Sequence, residues 1–219
     1  MDTVGAVLGP SVALAYLYYY PQEYKTLFYA ALLPGMLAVV TTFYLKEKRI
    51  KEHRQKFATP FFSFLHYWKE SPSDYKRLVI GLLVFTLFNS SDVFLLLKAK
   101  ESGLEDTMVI GIYIFYNLIY ALFAFPVGII ADKVGLKTIF IIGLILFSGV
   151  YVGMSFNTNL YVFFGLFFLY GIYAAATEGI SKAWISNIVN KKDTATAIGT
   201  YTGFQSIGTM LASSLTGLI

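Results

Sequence analysis

The chain has 219 residues, of which 57% are hydrophobic and 14% are charged, and its formal net charge is +4 at pH 7. Soluble domains carry about 25% charged residues, so this composition argues against a water-soluble protein and favours lipid as its solvent. With no cysteine and only His53 and His66 as histidines, the chain lacks disulfides, thiol nucleophiles and a histidine cluster. We therefore expect no metal site, no cofactor and no enzymatic activity.

The apolar residues form seven helix-length stretches. A transmembrane helix needs roughly 20 mostly apolar residues, whereas barrel strands are about ten residues long and alternate apolar with polar positions. The continuous runs therefore predict an all-α polytopic membrane protein with seven transmembrane helices in a lipid bilayer. The predicted spans are 3–20, 24–45, 78–97, 107–131, 138–156, 159–181 and 195–219.

The first stretch, MDTVGAVLGP, enters the apolar run directly after Asp2. It lacks the basic segment with which a signal peptide begins, so we interpret it as the entrance of a membrane span rather than as a cleaved leader.

Basic residues set the orientation, because cytoplasmic loops are enriched in lysine and arginine. If the first span starts in the cytoplasm, the connections 46–77, 132–137 and 182–194 hold fourteen of the 17 basic residues, and only Lys25, Lys98 and Lys100 lie on the other side. This bias predicts a cytoplasmic N-terminus and an outer C-terminus in a cell inner membrane. It also explains the positive charge without a nucleic-acid partner.

The long polar segment from Lys46 to Arg77 has two parts. Its first part, KEKRIKEHRQK, is interpreted as a solvated helical extension or linker. Its second part, TPFFSFLHYWKE, concentrates aromatic residues after Pro60 and predicts a short amphipathic helix in the headgroup region. The alternative for that helix is a partner-binding role.

A compact loop follows the fourth predicted span. In GIIADKVGLKT, two glycines permit close helix approach and a tight turn, two lysines hold the loop on the cytoplasmic side, and a carboxylate can face a helix N-terminus. This loop closely resembles the cytoplasmic loop signature of the major facilitator superfamily. The matching residues are Gly128, Asp132, Lys133, Gly135 and Lys137. We interpret Asp132 as a conformational latch, and a plain topological turn is the alternative.

The resemblance implies a twelve-helix fold of two bundles that moves a small solute by alternating access. In that superfamily a long inner linker separates helices six and seven, so the seven spans correspond to helices five to eleven. The implied domains are 1–45, the last two helices of the N-terminal bundle; 46–77, the linker; and 78–219, the first five helices of the C-terminal bundle. A complete relative is expected to carry four more spans before Asp2 and one after Ile219.

The opening segment resembles the fifth-helix antiporter motif of the same superfamily at Gly5, Gly9 and Pro10. The two glycines share a helix face and permit tight packing, while the proline removes a hydrogen bond and bends the helix. The resemblance implies a leak-proof bend in an exporter, and simple small-residue packing is the alternative.

Ionisable groups inside a span are functional-site hypotheses. Asp92 interrupts the third span together with Asn89, Ser90 and Ser91, about 21 Å from its inner end near Leu78. We interpret it as a group that binds a proton or a cationic substrate. The alternatives are a helix kink capped by its own side chains and a fixed pair with Lys98 or Lys100.

The later spans carry three further features: a pair of opposite charges, a tyrosine-rich patch and two glycine pairs. Glu178 precedes Lys182 by four residues, the favourable order for a helical ion pair. Asn117 and Tyr116 belong to a polar-tipped patch in which Tyr113, Tyr116 and Tyr120 share a helix face; aromatic core packing is the alternative. Gly149 with Gly153 and Gly199 with Gly203 form GxxxG pairs, which predict helix contacts.

These features predict a secondary active transporter of a small solute, with proton-coupled efflux as the finer hypothesis. A non-transporting fragment or half-transporter, whose missing helices another chain supplies, is the main alternative. A seven-helix receptor is disfavoured because such receptors run with the N-terminus outside.

Overall fold

The structure, a computed structural model, describes residues 2–20, 23–44, 63–89, 91–157 and 159–218. Within these ranges the chain forms nine α-helices, as the long apolar runs predict. They are α1 (Asp2–Tyr19), α2 (Tyr24–Phe43), α3 (Ser63–Glu70), α4 (Ser73–Phe88), α5 (Asp92–Glu101), α6 (Asp106–Val134), α7 (Leu136–Phe156), α8 (Leu160–Ile188) and α9 (Thr194–Thr216).

Five helical segments of the described chain are long and apolar enough to cross a membrane: Tyr24–Phe43, Ser73–Glu101, Asp106–Val134, Leu136–Phe156 and Leu160–Ile188. The first and last predicted spans are also helical, as α1 and α9. α1 and α9 fall short of the length and hydropathy of these five segments. In α1 the apolar helix Val7–Tyr19 is too short, and threonine and serine recur along α9. The all-α polytopic architecture is confirmed.

The predicted interruption of the third span is confirmed as a break between two helices. α4 ends at Phe88 and α5 begins at Asp92. Ser91 caps the new helix, since its Oγ accepts a hydrogen bond from the Val93 N–H at 3.4 Å and so satisfies one backbone donor of the first turn. Ser90 lies outside the described residues.

Helix α8 is the centre of the bundle. It packs along both α6 and α7, and twelve of its residues are buried. Small side chains allow this approach: a Cβ atom added to Gly143 on α7 would lie 2.8 Å from Thr177 Cγ2 and 3.1 Å from Ala176 Cβ.

Two hydrophobic cores are stacked along α8. The Tyr75 core is centred on Tyr75, Val79, Phe140 and Ile185. The Phe167 core is centred on Ile112, Phe163, Phe167 and Tyr170. The Tyr75 core includes Ala131 and Ile139 on either side of the α6–α7 turn and packs against Trp68 of α3. The Phe167 core includes Leu95 and Ala99 of α5.

The short helix α3 confirms a helix in the aromatic segment, although residues 45–62, including the charged run 46–56, lie outside the described part. Trp68 packs edge-on against Tyr75 and Phe204, with ring centroids 6.1 and 5.6 Å apart. Burial and the negative charge of Asp193 raise the pKa of Tyr67. These aromatic rings therefore contact α4 and α9 of the bundle, whereas His66, Lys69 and Glu70 are exposed.

The first two helices flank this bundle on one side. α1 packs along α6, while α2 has little contact with α1, and no residue of α2 is buried by the described chain. α2 thus presents an apolar surface all round, as a lipid-facing or bundle-covering helix does.

Candidate functional site

The break between α4 and α5 directs Asp92 toward two tyrosine hydroxyls. Oδ2 of Asp92 accepts a hydrogen bond from Tyr116 on α6 at 2.5 Å, and Oδ1 accepts one from Tyr170 on α8 at 2.6 Å. These lengths lie at the short end of the range for O–H···O hydrogen bonds. Each carboxylate oxygen therefore holds one phenol, and the three side chains tie α5 to α6 and α8.

The two phenols are held in place by the Phe167 core. Tyr116 and Tyr170 are 6% and 2% exposed, and their ring centroids lie 5.6 Å apart. Phe167 contacts Tyr116 with a centroid separation of 6.1 Å, and Tyr173 stacks on Tyr170 at 5.1 Å. The Asp92 site is thus built on packed helices rather than on a loop.

The two lysines of α5 have other partners. Lys98 Nζ lies 3.9 Å from Glu101, and Lys100 Nζ lies 2.8 Å from Asp106. The alternative in which Asp92 pairs with Lys98 or Lys100 is therefore not what the structure shows. The hydrogen-bond partners of its carboxylate are phenols, which stay neutral and donate.

Asn89 and Asn117 differ in their surroundings. Asn89 Nδ2 donates to the Tyr173 hydroxyl at 3.0 Å, while its Oδ1 is buried and has no hydrogen-bond partner among the described residues. Asn117 is buried but donates to the Tyr113 carbonyl of its own helix at 2.9 Å. Asn89 therefore offers an unused acceptor, whereas the Asn117 amide is engaged in helix back-bonding.

Asn89 is one of the residues that line a polar cavity of about 270 Å³ between α4, α7, α8 and α9. Glu178 and Lys182 line the same cavity, and the Glu178 carboxylate accepts a hydrogen bond from Tyr120 at 2.9 Å. The predicted ion pair between Glu178 and Lys182 stays a prediction. The remaining polar lining residues are Thr86, Tyr173, Thr177, Ser181, Tyr201, Gln205 and Thr209.

Sequence reasoning missed most of this lining. Tyr201, Gln205 and Thr209 are spaced four residues apart on α9, which places them on one helix face. This polar stripe in an otherwise membrane-type segment was the available signal. Tyr170 and Tyr173 gave none, because tyrosine is common throughout the chain.

The signature loop forms the turn between α6 and α7. Gly135 adopts φ +106°, a conformation that side chains resist, and its N–H donates to the Ala131 carbonyl at 2.8 Å. Asp132, Lys133 and Lys137 are exposed. The turn follows the expectation for Gly135, and the latch role of Asp132 stays a prediction.

The expected close approach at the other motif glycines is not formed within the described chain. A Cβ atom added to Gly5, Gly9 or Gly128 would meet no described atom within 4 Å. Gly9 and Pro10 instead line an apolar cavity of about 460 Å³ together with Tyr113 and Val109 of α6. Gly9 thus lies beside an open groove between α1 and α6, and tight packing at Gly5, Gly9 and Gly128 stays a prediction.

The GxxxG pairs are also only partly helix contacts. A Cβ atom on Gly153 would lie 2.5 Å from Leu166 Cδ2, but one on Gly149, Gly199 or Gly203 would meet no described atom within 4 Å. On α8, Gly171 is closely packed, since a Cβ atom there would lie 2.8 Å from both Ile119 Cβ and the Tyr116 carbonyl oxygen.

Within the described ranges, no three histidine, aspartate or glutamate side chains are grouped to hold a metal ion. The polar groups around Asp92 and the cavity are carboxylates, phenols, amides, aliphatic hydroxyls and one ammonium group.

Comparison with known proteins assigns the class. Residues 93–219 match the model of the family described as Major Facilitator Superfamily. An uncharacterized MFS-type transporter from Methanocaldococcus jannaschii is 29% identical over 224 aligned residues, which cover 100% of this chain and 55% of that relative. No solved structure matches the chain.

The chain belongs to the Major Facilitator Superfamily. It is a polytopic membrane protein of a transporter family, and this membership points away from an enzyme. The chain spans about half the length of the curated relative that it matches.

Proposed function

We propose that the chain forms part of a proton-coupled secondary transporter that moves a small solute by alternating access, with Asp92 as the proton-binding group. The observation that carries this proposal is the pair of short hydrogen bonds from Tyr116 and Tyr170 to the Asp92 carboxylate. An ionisable side chain inside a membrane segment costs free energy, and such residues usually mark a functional site.

Protonation of Asp92 would change what holds α5 in place. The ionised carboxylate accepts two phenolic hydrogen bonds that are strengthened by its charge. The carboxylic acid is itself a donor and accepts more weakly, so its links to α6 and α8 loosen. Because α4 ends at Phe88 and α5 begins as a separate helix at Asp92, a weaker link lets α5 move, which couples proton binding to conformation.

The polar cavity supports the solute half of the proposal. Asn89 and Tyr173 line it, and Asn89 is only three residues from Asp92. Tyr173 lies within electrostatic range of both Asp92 and Glu178. The electrostatic energy of a solute in this cavity would therefore depend on the charge of Asp92.

Export is the proposed direction, and its support is the resemblance at Gly5, Gly9 and Pro10. The proposed setting is a cell inner membrane with the N-terminus in the cytoplasm, supported by the excess of basic residues in three connections. The loop with Gly128, Asp132, Lys133, Gly135 and Lys137 is proposed to latch one conformation.

Asp92→Asn tests the proposal in liposomes that carry the chain with its full complement of helices. We expect transport driven by a pH gradient to fall to background, while solute counterflow without a gradient persists, because the amide cannot exchange a proton. Glu105→Gln, at an exposed position before α6, is the matched control and should transport normally. Unchanged gradient-driven transport in Asp92→Asn would refute the coupling role.

A half-transporter that needs a partner chain is the second candidate, and its support is the apolar helix α2, of which no residue is buried by the described chain. For this case we expect no solute flux from liposomes that contain the 219 residues alone. Robust flux from them would remove this candidate.

A further inference from the structure

The polar cavity is a gap between two pairs of helices. One wall is formed by α4 and α9, and the other by α7 and α8. The first pair runs in register: the Tyr75 hydroxyl of α4 binds Ala197 of α9, and a Cβ atom added to Gly208 of α9 would lie 3.2 Å from Thr86 Cγ2 of α4. Between these two contacts each helix advances by eleven residues, from 75 to 86 and from 197 to 208, a rise of about 16 Å. The α4–α9 pair is therefore one continuous wall of the cavity.

A buried tyrosine joins α4 to α9 at the end of the pair that lies against α3. Tyr75 is 0% exposed, and its hydroxyl donates to the Ala197 carbonyl at 2.8 Å. Two rings of α3 pack edge-on against the Tyr75 ring, Tyr67 at a centroid distance of 5.5 Å and Trp68 at 6.1 Å. The hydrogen bond between α4 and α9 is therefore covered and oriented by α3.

Trp68 also contacts α9 directly. Its ring lies edge-on to Phe204, with the ring centroids 5.6 Å apart. Contacts of this geometry stabilise packed rings beyond the area that they bury. Because Trp68 touches both Tyr75 and Phe204, α3 lies across the two helices of the wall rather than beside one of them.

α3 is fixed to α4 by hydrogen bonds at its C-terminal end. The N–H of Ser71, which follows α3 directly, donates to the Tyr67 carbonyl at 2.8 Å. Lys76 Nζ of α4 donates to the Lys69 carbonyl of α3 at 2.9 Å. The two helices therefore form one corner, and α3 follows α4 when α4 moves.

We propose that Trp68 is a positioning residue through which α3 acts as a crossbar: it fixes α9 to α4, so that both helices move as one wall of the cavity. The movement of that wall rests on the proposed function, in which the charge of Asp92 decides how firmly α5 is held, because α5 follows α4 directly in the chain. The link between α4 and α9 does not depend on that function.

An interfacial anchor is the other role that suits a short amphipathic helix rich in aromatic residues. An anchor holds the chain in the headgroup region, and removal of one of its rings leaves the spacing of α4 and α9 unchanged. A crossbar predicts that α9 separates from α4 when Trp68 is truncated.

Distances between pairs of spin labels on the 219-residue chain in lipid nanodiscs test the crossbar. The chain has no cysteine, so introduced cysteines are labelled specifically. Arg77→Cys and Thr196→Cys, at exposed positions of α4 and α9, report the spacing within the wall, and Asn187→Cys on α8 is the reference on the opposite wall. In Trp68→Ala we expect the population with a longer distance between labels 77 and 196 to rise about tenfold. Trp68→Phe, which keeps a ring, should restore the parent distribution.

Trp184→Ala is the matched control. Trp184 also packs against the Tyr75 core, but its ring contacts Phe140 of α7, so its removal should leave the distance between labels 77 and 196 unchanged. The crossbar is overturned if Trp68→Ala leaves that distance unchanged or if Trp184→Ala lengthens it equally. Trp68→Leu, which keeps an apolar side chain without the ring, decides the same question if the alanine variant does not fold.

Asp92→Asn separates the crossbar from the proposed function. We expect labels 77 and 196 to shift together relative to label 187 in this variant, and only label 77 to shift when Trp68→Ala is added. If label 196 still followed label 77 in the double variant, the crossbar would be wrong. If neither label moved in Asp92→Asn, the coupling role of Asp92 would be wrong, and the distance between labels 77 and 196 in Trp68→Ala would still decide the crossbar.

Discussion

Phe167→Ala is expected to lower the free energy of unfolding by about 3–5 kcal/mol. Phe167 is 0% exposed at the centre of its core, and its ring contacts Tyr116 and Tyr170 with centroid separations of 6.1 and 6.3 Å. Removal of the ring leaves a cavity whose walls are helices α6 and α8, which can collapse only in part. The two phenols that hold Asp92 lose their common support, so gradient-driven transport should fall as well.

Reversible unfolding in mixed micelles titrated with dodecyl sulfate measures this loss. Leu169→Ala is the matched control, because Leu169 lies on the same helix two residues away but is 37% exposed. It should change the free energy of unfolding by about 0.5 kcal/mol or less. Equal losses in the two variants would show that Phe167 is not a core residue.

Gly171→Ala is expected to destabilise the chain by about 1–3 kcal/mol, although alanine is the better helix former. The added Cβ atom would lie 2.8 Å from Ile119 Cβ and 2.8 Å from the backbone oxygen of Tyr116. Neither atom is the tip of a flexible side chain, so α6 must move away from α8. Tyr116 moves with α6, and its hydrogen bond to Asp92 lengthens.

Gly165→Ala separates the steric clash from helix propensity. Gly165 lies on the same helix with open space at its Cβ position, so alanine there should be neutral or stabilise the chain by up to about 1 kcal/mol. The same micelle titration compares the two variants. If Gly171→Ala were as stable as Gly165→Ala, the close approach of α6 and α8 at this point would be wrong.

Helix positions were predictable because the membrane imposes a strong rule on sequence. A backbone in lipid must satisfy its own hydrogen bonds, so each long apolar run becomes a helix, and α6, α7 and α8 lie on the predicted spans. Asn89, Ser91 and Asp92 were also readable as a break, since they place polar side chains within an apolar run. The loop around Gly135 was readable because its residue spacing matches a family signature.

The contacts that build the site were not predictable in the same way. Asp92 was recognised as unusual, but Tyr170, which binds it, lies 78 residues further along the chain. The chain has 17 tyrosines, and nothing local distinguishes Tyr170 and Tyr173 from those that face lipid. The glycines show the same limit: of the four glycines selected by the GxxxG spacing only Gly153 is closely packed in the described chain, whereas Gly143 and Gly171, which no motif selected, are closely packed as well.

The sequence by itself determined that the protein lies in lipid, its helical class, the break before Asp92, the family signature, and the spacing that places Glu178 and Lys182 on one helix face. These are local properties, because hydropathy, charge and residue spacing act within one helix or one loop. The tertiary structure alone decided which phenols hold Asp92, that Asn89 and Gln205 face one cavity, and that α8 lies at the centre. Those facts depend on how each helix is rotated about its axis, and in lipid that rotation is set by packing between helices rather than by hydrophobicity.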